Sequence, residues 1–243
     1  MRAALSAEWV KMRSVPATAQ AVGVATLTIV LGLVWTLYVA DVAEDRGRAV
    51  SAMAPELGFL PLVQISMAVL GVLAITPEYA GGQIRSTLAA VPSRGRLVLA
   101  KAVAVGGVTL ATGTVVILAT YTVGRVLAGD GLVDYRSDGL HTVAGPVLSV
   151  AVLALAGLGL GLATRSTAGG IVTVAGLLFV LPGIAAYLPE PWNERLSAVL
   201  IRDLTSAVGG DGTLPPWAAV LALLAYAVIP LAAGHHLMRR RDV

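Results

Sequence analysis

Cysteine is absent from the 243 residues. Disulfides, thiolate metal sites and cysteine nucleophiles are therefore excluded together, and the redox compartment leaves no trace in the sequence. Lysine occurs only at Lys11, after Val, and Lys101, after Ala. A phosphate-binding P-loop needs Gly-Lys followed by Ser or Thr, so the chain has no site of its own for ATP hydrolysis. Histidine is confined to His141, His235 and His236, with no HExxH or HxxxH pattern, and no GxSxG turn occurs. No metal, no cofactor and no catalytic residue is expected. Charge is scarcest of all. Only 13% of residues are Asp, Glu, Lys or Arg, against 57% hydrophobic, where ordinary globular domains carry about 25% charged residues. So little polar material cannot clothe a water-soluble fold of this size, and the apolar excess is expected to face lipid.

What is present is long uncharged stretches. Six segments contain no Asp, Glu, Lys, Arg or His: 17–40, 57–76, 102–124, 142–164, 167–188 and 214–234. Roughly 20 residues of α-helix cross a hydrocarbon layer, and one charge at a helix centre costs roughly 2.5–3.5 kcal/mol on insertion scales. The predicted fold is all-α, a polytopic membrane protein with six transmembrane helices and short interfacial amphipathic helices. The first apolar run begins near residue 17 and is too long for a signal-peptide core, so the N-terminus is expected to be retained.

Orientation follows from the basic residues. With the N-terminus inside, the inner segments hold eleven cations against three acids, a net of +8, and the outer loops net −5. The positive-inside bias therefore predicts both termini in the cytoplasm. The excess of Arg over Lys reads as a GC-rich coding bias, which points to a bacterial cell membrane. The overall charge of +3 is small, and no nucleic-acid partner is expected.

Within the fourth segment, Gly157, Gly159 and Gly161 alternate. No strand precedes them, so close helix packing is the better reading than nucleotide binding. Pro61, Pro146, Pro182 and Pro230 lie within spans, where neighbours must satisfy the backbone groups they free. Gln64 is the most conspicuous polar side chain in the spans, available to a pathway or to a hydrogen bond with another helix. Outside the spans, residues 1–16 read as an interfacial helix in which Leu5, Trp9 and Met12 share a face, with Arg2, Glu8, Lys11 and Arg13 on the remaining surface. In the outer loop, 189–213, Trp192, Leu196, Val199 and Leu200 form an apolar stripe, with Glu194, Arg195, Arg202 and Asp203 polar, as in a short helix resting on the outer leaflet.

The most polar interruption is ITPEYAGGQIRSTLAAVPSRGR, residues 75–96. Thr76-Pro77-Glu78 reads as a helix start, with Pro at the first position and an early acid at the positive end. Ala80, Ile84, Leu88 and Val91 then share one face, Glu78 and Arg85 share another toward water, and Pro92 ends the helix. Gly81 and Gly82 weaken a free helix by roughly 1 kcal/mol each, which points to a docking partner or a need for close approach; a basic topological loop that happens to be helical is the alternative.

This run, with the N-terminal AEWVKMRS and the six-span plan, resembles ABC-2 type transporter permeases, the membrane subunits of bacterial ABC exporters. The resemblance implies that 77–92 is a cytoplasmic coupling helix meeting a separate ABC ATPase, whose Glu pairs with a basic residue of that partner. Glu78, Gly82 and Pro92 match the pattern. Tyr79, Gln83, Ile84, Arg85, Ser86 and Leu88 follow from position on the helix. Ala80 stands where a second acid is common. ATP would be bound by the partner chain, and a second permease copy, identical or related, would complete the path through the membrane lipid. The expected cargo is hydrophobic or amphiphilic, whether drug, antibiotic, lipid or peptide. A non-transporting membrane scaffold or assembly factor is the alternative; it leaves the coupling-like segment without a purpose.

Overall fold

The computed structural model describes residues 8–9, 15–90, 93–128, 133–135, 139 and 141–240. Its elements are α1 (Val15–Arg46), β1 (Val50–Ala52), α2 (Pro55–Gly58), α3 (Leu60–Leu73), α4 (Thr76–Ala80), α5 (Ile84–Ala90), α6 (Arg94–Ala128), β2 (Val133–Tyr135), α7 (His141–Thr164), α8 (Thr167–Ala175), a π-helical turn (Gly176–Val180), α9 (Leu181–Ala186), α10 (Trp192–Ser197), α11 (Ile201–Val208) and α12 (Pro216–Arg240). Six helical runs are long and apolar enough to cross a membrane: Ala19–Arg46, Leu60–Ala80, Arg94–Leu127, His141–Thr164, Thr167–Ala186 and Pro216–Arg240. The protein is an all-α, multi-pass membrane protein, with one short parallel strand pair, β1 beside β2, as its only described sheet.

The spans overrun their sequence-predicted limits because helix continues past the charge-free windows. The first extends through Asp41, Glu44 and Asp45 to Arg46, and the third begins at Arg94, before Lys101. An apolar window reports the lipid-facing length, whereas the helix persists until capping or a turn ends it.

The fourth span, α7, lies at the centre and is the most buried of the six. It packs against the second, third and sixth spans. Small residues set these contacts. A Cβ at Gly157 would overlap the Ala68 carbonyl, one at Gly71 the Ala154 carbonyl, and one at Gly159 the Pro230–Leu231 backbone. On the sixth span, a Cβ at Gly234 would stand 2.6 Å from the Gly159 carbonyl oxygen. The predicted close-packing role of the alternating glycines is thus met: helix backbones touch where side chains would hold them apart. Two glutamines also link the spans. Gln20 Nε2 donates to the Ser66 carbonyl at 2.6 Å, and Gln64 Nε2 to Ser149 Oγ at 2.8 Å.

Each predicted span proline has a structural setting. Pro61 occupies the first turn of α3, where no helical N–H is lost. Pro146 lies inside α7, and its own carbonyl accepts from Ser149 Oγ at 2.8 Å. Pro182 follows the π-helical turn of the fifth span, and Pro230 sits within α12.

The outer-loop expectation needs correction. One helix with a Trp192–Leu196–Val199–Leu200 stripe is replaced by two, α10 and α11, with a break at Ala198–Leu200. Trp192 and Val199 are exposed, and Leu200 is buried. In α11, Ile201, Leu204, Thr205 and Ala207 are buried against the fourth and sixth spans. The run Leu200, Ile201, Leu204, Ala207 fits helical spacing better than the predicted stripe, and it packs onto the bundle rather than resting on a leaflet.

Adding a methyl group at Gly157 should therefore displace the second span. We expect Gly157→Ala to destabilise the detergent-purified protein by about 1–3 kcal/mol, seen as a lower thermal midpoint. Gly23→Ala, where nothing lies within 4 Å of the new Cβ, should leave the midpoint unchanged or slightly raised.

Candidate functional site

Where the second span ends, its helix is interrupted at Ala74–Ile75, and Ile75 adopts φ −130°. In a continuous helix the Glu78 N–H would bond to the Ala74 carbonyl. Here it donates to the Ile75 carbonyl at 3.1 Å, and the Ala74 carbonyl is left for another donor. That donor is Lys101, whose Nζ lies 3.0 Å away.

Lys101 is 1% exposed and is among the largest fully buried side chains. Its ammonium also donates to Glu78 Oε1 at 2.7 Å and Glu8 Oε2 at 2.8 Å. The three donor positions of the ammonium thus match three oxygens. Glu8 and Glu78 are themselves buried. An isolated charge in such a setting would cost several kcal/mol, which the paired carboxylates and the carbonyl offset. The node joins three pieces of chain: the N-terminal segment, the end of the second span and the first turns of the third.

Two further contacts fix the same span end. Thr167 Oγ1, at the start of the fifth span, donates to Thr76 Oγ1 at 2.8 Å. The Arg165 guanidinium lies over the Tyr79 ring, 5.2 Å from its centroid. Arg165 occupies the tight link between the fourth and fifth spans with φ 54°, a left-handed conformation more often given to Gly. Ser166 then caps the fifth span, accepting from the Gly169 N–H at 3.2 Å. Beside this group, Arg94 donates to the Met238 and Arg239 carbonyls, where a cation complements the carboxyl end of the last helix. These contacts place residue 8 and the end of the sixth span on one side of the bundle.

The sequence-predicted coupling helix is therefore corrected in two respects. Residues 77–92 do not form one helix: α4 and α5 are separated at Gly81–Gln83, and Gly82 takes φ +68°. The two glycines make a turn that a residue with a Cβ would strain. Nor do Glu78 and Arg85 share a water face. Glu78 turns inward to Lys101, while Arg85 is exposed. Ala80, predicted on the apolar face, is exposed as well. Glu8, read as part of the polar surface of an interfacial helix, is likewise drawn inward; Glu8 and Trp9 are helical, with Trp9 41% exposed, and the rest of 1–14 lies outside the described residues.

The remaining predicted residues divide clearly. Gly82, Gln83, Arg85 and Ser86 are exposed, and Ser86 Oγ donates to the Gln83 carbonyl at 2.8 Å. Ile84 is buried in the main apolar cluster, and Tyr79 is half-buried against it. The Leu88 side chain, Val91 and Pro92 lie outside the described residues. Gln64 is far from this group; it is 3% exposed and bonds to Ser149. Sequence reading placed Lys101 among the inner cations and Glu8 on the polar surface of an interfacial helix, and joined neither to Glu78. They lie 23 and 70 residues from Glu78, and no local spacing rule reaches that far. The available signal was Lys101 itself, a lone lysine abutting a long charge-free window.

No family model matches the chain, and no curated protein matches it.

Removing the shared cation should do more harm than removing the whole set. Lys101→Met leaves two buried carboxylates facing each other and should cost about 3–5 kcal/mol. The triple variant Lys101→Met, Glu8→Gln, Glu78→Gln should recover much of that loss. Thermal unfolding in detergent of both variants beside the unmodified protein checks this non-additivity.

Proposed function

We propose that this chain is the membrane subunit of an ABC-2 type exporter, carrying a hydrophobic or amphiphilic substrate with energy from a separate ATPase. A second permease copy, the same or related, faces it across the path. The side bearing residue 8 and the end of the sixth span is the cytoplasmic one, consistent with its basic surplus, and the membrane is that of a bacterial cell.

One observation carries this reading. The segment 76–90 has a buried root and an exposed tip: Thr76, Glu78 and Ile84 are buried, whereas Gly81, Gly82, Gln83, Arg85 and Ser86 are exposed. A load applied at the tip reaches the third span through Glu78 and Lys101, and the fourth–fifth link through Tyr79 and Arg165. Such an arrangement suits a lever between a cytoplasmic motor and a bundle with two alternative packings. It also changes the contact expected with the motor. Glu78 is already paired with Lys101, so Arg85 and the polar turn before it are the groups offered to the ATPase, against an acidic or carbonyl-rich surface.

Co-expression with a P-loop ATPase encoded beside this chain provides the test. The two should co-purify, with ATPase turnover stimulated by the permease. Arg85→Glu should weaken the complex by about tenfold without lowering the melting temperature of the isolated permease. Undiminished complex formation and stimulation in Arg85→Glu would contradict the docking assignment, and failure of any ATPase to associate would contradict the transporter reading.

A further inference from the structure

On the side opposite Lys101, a partly open cavity of about 450 Å³ lies between the second span, the fifth span and α11. That volume falls in the usual range of small-ligand pockets, roughly 300–1,000 Å³. Its walls are of two kinds. Leu57, Leu177 and Phe179 supply apolar surface, while Gln64, Arg202 and Ser206 supply polar groups.

The polar groups converge for a structural reason. Burial of Ile201, Leu204, Thr205 and Ala207 fixes the rotation of α11. Arg202 and Ser206, one helical turn apart, then share the face that overlooks the cavity. Gln64 enters from the second span, one turn inward of Leu60. Its Nε2 is held by Ser149, which orients the amide with its oxygen as the group still open to a donor. Arg202 forms no ion pair among the described residues. Its nearest acid in sequence, Asp203, has its carboxyl pushed above the ordinary range by burial, and Arg202 lowers it only in part. Arg125, on the same side, is by contrast paired with the buried Glu56 at 2.9 Å. The cavity thus pairs an exposed guanidinium at its rim, without an ion pair among the described residues, with apolar walls around Gln64.

We propose that this cavity binds a single-chain amphiphile with an anionic head, the acid at Arg202 and Ser206 and the chain along Leu57, Leu177 and Phe179. This deepens the exporter reading and rests on it for the meaning of binding: the cavity selects among amphiphilic substrates by charge. Arg donates to a carboxylate in a fork that a neutral head cannot reproduce. Gln64, deeper inside, accepts from a hydroxyl or amide on the ligand, so a hydroxylated or acylamino acid fits better than a plain fatty acid.

Photolabelling of the purified chain, without any ATPase, tests the assignment. The probes are a diazirine-bearing long-chain carboxylic acid, its methyl ester and a trimethylammonium analogue, in micelles of uncharged detergent, with labelled peptides mapped by mass spectrometry. The acid should label the segments around Leu57 and Phe179, with excess unlabelled acid competing and the ester not. Arg202→Gln should reduce acid labelling about tenfold, Arg202→Lys should retain part of it, the charge kept but the fork lost, and Arg202→Glu should shift preference to the ammonium probe. Equal labelling by acid and ester, or unchanged acid labelling in Arg202→Gln, would overturn the proposal. So would displacement by phosphatidylglycerol but not by the free acid, since the site would then hold a two-chain lipid. Because the motor is absent, these outcomes are independent of whether Arg85 docks an ATPase.

Discussion

The backbone-to-backbone approach of the fourth span to its neighbours is the constraint from which the rest of the bundle follows. Lipid offers no hydrophobic drive to bring apolar helices together, so packing and a few hydrogen bonds must do it. Gly157 and Gly71 let the second span touch the fourth, and Gly159 and Gly234 do the same for the sixth. With these faces in contact, Gln64 meets Ser149 and the apolar cluster around Met67, Leu158 and Leu162 closes. The fifth span makes its close contact near its start, where a Cβ at Gly170 would stand 2.8 Å from Val72, and it is the least buried of the six. Its π-helical turn, which Pro182 follows, lines the cavity beneath α11.

Charge is placed at the two ends of this apolar body. Lys101 and Arg125 lie on the same helix, twenty-four residues apart, about 36 Å at helical rise and comparable to a hydrocarbon layer of about 30 Å. Each is held by buried acids. Lys101 has Glu8 and Glu78, while Arg125 has Glu56 and lies between the Tyr121 and Tyr135 rings, 4.1 and 4.8 Å from their centroids. The third span is thereby fixed at both boundaries, and the strand pair Val50–Ala52 with Val133–Tyr135 carries Tyr135 to its place. The two nodes differ in what they hold. The Arg125 group joins the third span to α2, which leads into the second span, and to β2, which follows the third, whereas the Lys101 group joins the second span, the third span and the N-terminal segment. That second arrangement makes the Glu78 end of the second span a mechanical junction.

Much of the fold and less of the site was legible from residues alone. The six spans followed from windows without charge, and the role of Gly157, Gly159 and Gly161 from small residues inside a span. The segment 75–96 stood out by its polarity, yet its internal geometry did not. Periodicity assigned Glu78 to the water face because a heptad spacing from Arg85 assumes one uninterrupted helix. The turn at Gly82 and the break at Ala74–Ile75 rotate the two halves independently, and Glu78 goes inward. Gln64 was left between pathway and helix contact; it bonds to Ser149 of the fourth span and lines the cavity beneath α11.

The sequence by itself determined that this chain lives in a membrane, crosses it six times and lacks a P-loop of its own, because hydrocarbon excludes charge and a missing residue type excludes its chemistry. Only the tertiary structure decided which charges face one another. Lys101, Glu8 and Glu78 are separated along the chain, and their pairing depends on how helices converge at one end of the bundle. The same is true of Arg202, which the sequence placed on a loop and the folded bundle sets above a cavity between the second and fifth spans.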